Sequence, residues 1–387
     1  MPNIVLKILG FLTLILIVFY VYYKLKYKFW SRQPVFHIHN LKYWLFPPGF
    51  IQKEIPKKDK FYDYAIKTKE FSEVPEDELL LFTSFIKAHY MPKKYEKYNP
   101  SKDNVLDYFK HHNDKSYITL KYEMSDITKN SKTLISSITS RPLECIIDGN
   151  KINLNYVDFL CVKKDKRKQG IAPKSIYTHY VDIRGRDKNI AFLFKREGVG
   201  TLIVPLTTYY NYMFDMTYWD LSDANFSNID LNLDMEEINT SNFSLFTDLL
   251  LEIKPHFECI IMPNLQNLKY LCEKKLIYIY VLMINKKPNS FYLFKNNHTT
   301  YDGDKSIDLM ASFCNTSKEI FTLGFFNALT VIKPNIKYLF LENISNNNYI
   351  LKNILKRYSP KLKTPASYYF YNFGYIPKHS TKIMCIN

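Results

Sequence analysis

Residues 4 to 23, IVLKILGFLTLILIVFYVYY, hold one charge in twenty positions. At about 1.5 Å of rise per residue, a helix of that length crosses the roughly 30 Å hydrocarbon layer of a bilayer, so the run predicts one transmembrane anchor. A cleaved signal peptide would be shorter and would place small residues before its cleavage site, where this run carries Tyr and Phe. Lys7 lies near one end and can snorkel. Lys24, Lys26, Lys28 and Arg32 follow the span, against Lys7 and the amino terminus before it, which places the main body on the cytoplasmic side.

Beyond the anchor the apolar period alternates between 3.6 and 2. Residues 77 to 91 and 101 to 111 have helical spacing, with Ser101 as a candidate N-cap. Strand-like runs follow at 116–123, 133–145 and 151–162, and the segment from Pro173 reads as a helix with proline in its first turn. After residue 215 the order repeats in kind. An acidic, Asn-rich stretch leads into a helix-like run at 243–257, strand-like runs at 276–285 and 289–294, and a last alternation at 367–376.

At 387 residues the chain is long enough for two units of ordinary size, each with its own core. Hydrophobic residues at 47% and charged residues at 23% describe a folded protein rather than a disordered one. A formal charge of +16 calls for an anionic partner, although overuse of Lys, Asn, Ile, Tyr and Phe explains part of it. The six cysteines form no C-x-x-C and the nine histidines no H-E-x-x-H, so no metal is expected.

The segment YVDFLCVKKDKRKQGIAP, residues 156 to 173, joins an apolar strand to a basic, glycine-containing turn and a helix. Backbone N–H groups left unpaired at such a turn point at its occupant, with the positive end of the helix dipole behind them. That arrangement is an anion cradle. Within it Arg167, Lys168, Gln169, Gly170, Ile171 and Ala172 match R-x-x-G-x-A, the loop that holds the coenzyme A pyrophosphate in Gcn5-related acyltransferases.

Three separated motifs extend the match. YKFWSRQPV at 27–35, DFLCVKKDKRKQGIAP at 158–173 and YYFYNF at 368–373 resemble, in the same order, KFWxTQPV, NFLCVHK…R…AP and YYLYNW of eukaryotic glycylpeptide N-myristoyltransferases. The resemblance implies an α/β (α+β) fold of two tandem Gcn5-like halves related by a pseudo-twofold. Residues 1–26 would be the anchor, 27–215 the acyl-CoA-binding half and 216–387 the peptide-binding half. It also implies an enzyme that moves a myristoyl group from myristoyl-CoA, a co-substrate rather than a resident cofactor, to the glycine amine at a protein N-terminus. Partners would be N-terminal glycine peptides, long-chain acyl-CoA and, through residues 4–23, a membrane, with no nucleic acid.

Carried over by motif, Tyr27, Lys28, Phe29 and Trp30 would contact the acyl-CoA, as would Val157, Asp158, Cys161 and Val162 along the strand. Phe159 and Leu160 would be the oxyanion pair, their backbone N–H groups facing the thioester carbonyl. Arg167, Lys168, Gln169, Gly170, Ile171, Ala172 and Pro173 would grip the phosphates. The catalytic base would be the C-terminal carboxylate of Asn387, which lies about as far beyond YYFYNF as the family's last residue lies beyond its own motif.

Two departures stand out. Where the family has an acidic loop after its first helix, this chain carries Lys93, Lys94 and Lys97, which predicts a preference for acidic or neutral peptides. The histidine expected to steer the peptide is missing, with Met213 nearest in alignment. These departures leave two alternatives: a catalytically degenerate acyl-CoA-binding homologue, and a non-enzymatic membrane-anchored module whose basic surface binds nucleic acid or acidic lipid.

Overall fold

The computed structural model describes the whole chain except residues 1, 47, 91–95, 127–130, 199–202, 223 and 227–230, with backbone alone at 2–3, 125–126 and 131. Its helices are α1 (Pro2–Lys26), α2 (Leu41–Leu45), α3 (Glu76–His89), α4 (Lys102–Leu106), α5 (Ile171–Arg186), α6 (Ser244–Glu252), α7 (Leu265–Glu273), α8 (Lys318–Ile332) and α9 (Asn347–Arg357). The strands of the first part are β1 (Gly49–Phe50), β2 (Ile66–Glu70), β3 (Glu96–Tyr98), β4 (Tyr117–Asp126), β5 (Ser131–Ile147), β6 (Asn150–Val162), β7 (Ala191–Glu197) and β8 (Thr207–Asp215). Those of the second are β9 (Leu233–Glu237), β10 (Cys259–Met262), β11 (Ile277–Ile284), β12 (Lys287–Tyr301), β13 (Asp304–Phe313), β14 (Tyr338–Glu342), β15 (Leu362–Tyr371), β16 (Phe373–Gly374) and β17 (Ile383–Cys385).

One mixed sheet carries nearly all of these strands, and its order is self-similar. From one side it runs β2-β4-β5-β6-β7-β15, and from the other β9-β11-β12-β13-β14-β8. In each series an antiparallel meander ends in a parallel pair, β6 with β7 across α5 and β13 with β14 across α8. Each then accepts a strand from the other half: β15 lies beside β7, and β8 beside β14. The exchanged strands pair with each other, Ala366 opposite Tyr209, at the pseudo-twofold. The exchange recurs at the rims, where β3 pairs with the far end of β12 and β10 with the far end of β5.

Sequence and structure agree on most elements, and the differences have local causes. Ser101 caps α4 through a capping box with Asn104, but the helix tightens into a 3-10 turn over Asp107–Phe109 instead of continuing to residue 111. The helix-like run at 243–257 stops at Glu252, shortly before Pro255, whose ring disfavours helical geometry in the residue before it. α5 begins at Ile171, so Pro173 occupies its first turn, where a missing N–H breaks no helical bond.

Of the two largest apolar clusters, one draws on both halves and the other lies mainly in the second. One packs α3, α6 and α7 on the strands around Phe82, Phe246 and Leu293, and the other packs α8 and α9 on β13 and β14 around Phe321, Phe325 and Leu341. Burying each such side chain contributes about 1.5–3 kcal/mol, which fixes the sheet that carries the site. α1 is exposed and apolar from Ile4 to Tyr22, and its last turns dock on the body. There Tyr23, only 3% exposed, meets the His37 ring through its hydroxyl at 2.8 Å.

Candidate active site

A cavity of about 620 Å³ opens between the two halves. The first half supplies Trp30, Val157 to Leu160 of β6, and Ile176, His179 and Tyr180 of α5. The second supplies Lys295 to Thr299 of β12, Tyr301 and Asp308, while Asn211, Leu362 and Thr364 of the exchanged strands complete the wall.

β6 is bulged where it meets this cavity. Thr139 of β5 faces Asp158 and Ser137 faces Cys161, so Phe159 and Leu160 together oppose the single residue Ile138. Phe159 sits at φ +48°, a left-handed conformation that costs a residue with a Cβ about 1 kcal/mol or more. Tertiary contacts hold it there. Its ring packs on Phe82, Tyr90 and Phe109 at centroid distances of 6.0, 5.5 and 6.2 Å, and Ser137 Oγ donates to its carbonyl at 3.1 Å. The Phe159 N–H donates to the carboxylate of Asp158 at 2.8 Å. The pseudo-twofold repeats the bulge on β13, where Phe294 faces Leu309 and Leu293 faces Ala311, leaving Met310 without a partner opposite.

Cys161 and Val162 complete the strand but do not line the cavity; both are buried, and burial pushes the Cys161 thiol up to about 11. Next comes the basic loop, with Lys168 at φ +63° and Gly170 at φ +75° serving as the N-cap of α5. Arg167 is exposed and donates from Nε to the Val162 carbonyl at 3.0 Å and from a terminal nitrogen to the His89 carbonyl at 2.7 Å. Gln169 donates to the Asp165 carbonyl at 3.3 Å. Ile171 packs with Ala172, Ile135 and Val162, and Pro173 follows within the first helical turn. Arg167 to Pro173 thus lie beside the cavity's bulged strand without lining the cavity itself.

Of the first motif, only Trp30 reaches the cavity wall, stacked on Phe194 at 5.7 Å. Phe29 is buried against Trp30 and Phe61, both at 5.1 Å, Tyr27 is half-buried, and Lys28 is exposed.

The tail runs to the same place from the other side. β17 pairs in parallel with β10, the Ile386 N–H donates to the Ile261 carbonyl at 2.8 Å, and Asn387 is 9% exposed. Lys295 Nζ, on the cavity wall, donates to the Asn387 main-chain oxygen at 3.1 Å, while Asn387 Nδ2 donates to the Tyr368 hydroxyl at 3.1 Å. Burial and the nearby Arg141 bring the Lys295 ammonium down to about 8. Arg141 is 1% exposed, and none of its guanidinium nitrogens has a hydrogen-bond partner among the described residues. It lies between the rings of Tyr108 and Tyr156, at 5.3 and 5.2 Å, and Lys295 lies over Tyr108 at 4.9 Å. Two cations thus share one aromatic ring.

Opposite Lys295 in the β12–β13 pairing is Asp308, which accepts from Asn297 Nδ2 at 2.7 Å. Burial, opposed by Lys195, raises its carboxyl to about 6. Lys195 itself pairs with Glu342 at 2.6 Å; burial works against its charge, and Glu342 outweighs it, holding the ammonium above its ordinary range.

Arg141, Lys295 and Asp308 are absent from the motifs, yet each interrupts an apolar strand run, SRPLEC, FYLFKNN and IDLMASF. A charge inside such a run is the signal that marks them. Of the residues that depart from the family pattern, Met213 is buried against Tyr338 and Phe340. Lys97 is exposed on β3, and Lys93 and Lys94 fall outside the described residues.

No protein-family model matches the chain, and no curated protein matches it in sequence. Paired halves sharing one sheet around an internal cavity define the class, a mixed α/β fold of two exchanged lobes. Solved structures supply its particular form. The chain is similar to Saccharomyces cerevisiae N-myristoyltransferase with bound myristoyl-CoA, at a TM-score of 0.72 and 14% identity over 91% of this chain and 94% of that one. A second structure of the yeast enzyme with myristoyl-CoA gives 0.69 over 92% and 89%, and a third with myristoyl-CoA and inhibitors gives 0.68 over 91% and 91%. The fold is that of an N-myristoyltransferase, as the three motifs imply, with one long apolar helix, α1, at its N-terminal end.

Proposed function

We propose that the chain transfers a myristoyl group from myristoyl-CoA to the N-terminal glycine amine of a protein. The observation that carries the reading is that one cavity is lined by the bulged Phe159–Leu160 strand of the first half and by Lys295 of the second, which holds the buried tail at Asn387 behind the cavity wall. Residues 27–215 hold the acyl-CoA and residues 216–387 most of the peptide site.

The acyl chain enters past Trp30, and the loop from Arg167 to Pro173 receives the coenzyme's phosphates at the start of α5. The carboxylate of Asn387, held by Lys295 and with Arg141 close by to offset its charge, takes a proton from the glycine ammonium. The freed amine attacks the thioester carbon, and the N–H groups of Phe159 and Leu160 hold the resulting oxyanion. Collapse breaks the C–S bond, and the coenzyme leaves as a thiolate that takes up the proton lost from the attacking nitrogen. The amide product keeps the acyl group. Through α1 the enzyme is a single-pass membrane protein with its catalytic body in the cytoplasm.

The test is transfer of labelled myristate from myristoyl-CoA to a peptide with N-terminal glycine, with an N-terminal alanine peptide as control. Labelled glycine peptide alone supports the reading; no transfer to either overturns it.

A second reading, an acyl-CoA-binding homologue without turnover, is favoured by two contacts. The Asp158 carboxylate occupies the Phe159 N–H, and two of the Arg167 nitrogens donate to backbone carbonyls. Tight calorimetric binding of myristoyl-CoA without transfer would establish it, and absence of binding would leave a non-enzymatic membrane module.

A further inference from the structure

The body carries a second apolar surface directly beside the anchor. Between Ile38 and Phe46, five large apolar side chains face outward: Ile38, Leu41, Trp44, Leu45 and Phe46, with Leu41 68% and Leu45 75% exposed. α2 lies within this stretch and is two-faced. Tyr43 points inward, 6% exposed, into a space that Gly374 leaves open, since a Cβ there would stand 2.4 Å from the Tyr43 ring. Leu41 and Leu45, one turn apart, share the outward side, and Trp44 Nε1 donates to the Ile38 carbonyl at 3.0 Å, fixing the strap that precedes the helix.

The height of this surface along α1 is set by ring contacts. The His39 ring lies 6.1 Å from that of Tyr20 and 6.0 Å from that of Tyr23. Tyr20 and Tyr23 precede the last helical residue, Lys26, by six and three positions, so His39 stands about 5–9 Å back along the helix axis from its end. The chain therefore leaves α1, turns, and climbs back beside its final turns before α2 begins. Lys42 lies in α2 and Lys24 and Lys26 in the last turn of α1, and a Trp among cations and aliphatics is the composition of a membrane interface.

The geometry points to residues 38–46 as a second membrane contact, an interfacial wedge in which Leu41, Trp44, Leu45 and Phe46 enter the same leaflet that α1 leaves. The inference rests on α1 crossing a bilayer. Lipid is the occupant because the surface is continuous with a helix that itself requires hydrocarbon, and because the ring contacts hold both at one depth. A single helix leaves the body free to rotate about its axis, whereas two joined contacts fix its orientation. Trp30, four residues beyond α1 and on the cavity wall, is then held at a set distance from the leaflet from which a long-chain acyl-CoA arrives.

The test uses the full chain reconstituted in phosphatidylcholine–phosphatidylserine vesicles, with and without acyl chains brominated near the headgroup. Trp44 is the reporter, since Trp219 is buried and Trp30 lies inside the cavity. Brominated lipid is expected to quench tryptophan emission, and Trp44→Phe to remove most of that quenching. Quenching of Trp44 by aqueous acrylamide but not by brominated lipid means that the surface faces water and overturns the proposal. Resistance to both quenchers means that protein covers it and overturns the proposal equally. Retention of the chain in vesicles after alkaline carbonate reports α1 independently, so a chain that resists extraction but shows no Trp44-dependent quenching refutes the wedge alone.

Discussion

Lys295 donates from Nζ to the main-chain oxygen of Asn387 at 3.1 Å, which ties the last residue of the chain to the cavity wall. If the carboxylate there is the base, this contact sets its position and its charge. Lys295→Met keeps the apolar stem and removes the donor, and hydrogen bonds to charged groups are worth about 1.5–3 kcal/mol. The expected result is a kcat lowered about 10- to 100-fold with the KM for myristoyl-CoA little changed. One glycine appended after Asn387 moves the carboxylate itself and should abolish turnover while myristoyl-CoA still binds. Steady-state kinetics of both variants decide the point, and full activity of the extended chain would remove Asn387 from the mechanism.

Asp308 gives stability a pH dependence of known sign. Its carboxyl titrates near 6 in the folded chain, against 3.8 ordinarily, so the folded state holds its proton more tightly than the unfolded one. Between about pH 4 and 6 the folded state therefore binds more protons, stability falls as pH rises, and the cost, at most about 3 kcal/mol, is fully present above 6. Lys295 acts in the opposite sense at higher pH. With its folded value near 8 and its ordinary value at 10.5, the unfolded chain binds the extra proton in that window and stability climbs with pH. Asp308→Asn should flatten the acid-side fall and raise the midpoint of denaturant unfolding at pH 7. Urea titrations of the two proteins at pH 4.5 and 7 measure it.

Asp158 stands where the family motif carries Asn, and its carboxylate accepts the very N–H assigned to the oxyanion. A negative group at that position repels a developing negative charge. Asp158→Asn removes the repulsion without changing the shape of the bulge and should raise kcat several-fold, up to about tenfold for 1.4 kcal/mol of relief, with KM values unchanged. A fall in kcat instead would mark Asp158 as a working base.

Contiguous signals made much of this site legible in the sequence. The step from β6 through the basic loop to α5 lies within eighteen residues, so its strand, turn and helix could be read together, and Gly170 does adopt the left-handed conformation that such a turn requires. The charges behind the cavity could not be read that way. Arg141 meets Tyr108 across a separation set by β5 and the turn after α4, and Lys295 meets Asn387 only because β17 adds to β10. The exchange of β8 and β15 was equally hidden, since both strands pair outside their own half. Local propensity names a strand; it does not choose its neighbours.

Gly170 offers a way to separate the acyl-CoA loop from the rest of the machinery. It caps α5 at φ +75°, and a Cβ added there would meet nothing within 4 Å, so the cost of Gly170→Ala is backbone strain alone. That strain, about 1 kcal/mol, is met either as lost stability or by a shift of the loop into a right-handed conformation. A shifted loop turns its N–H groups away from the phosphates. Binding of myristoyl-CoA should weaken about three- to tenfold, while the KM for the peptide, whose site the proposed function puts mostly in the other half, stays the same. Calorimetric titration with myristoyl-CoA and with free myristic acid as a phosphate-lacking control distinguishes the cases. If Gly170→Ala weakens both ligands alike, the loop is a structural turn and the phosphates bind elsewhere.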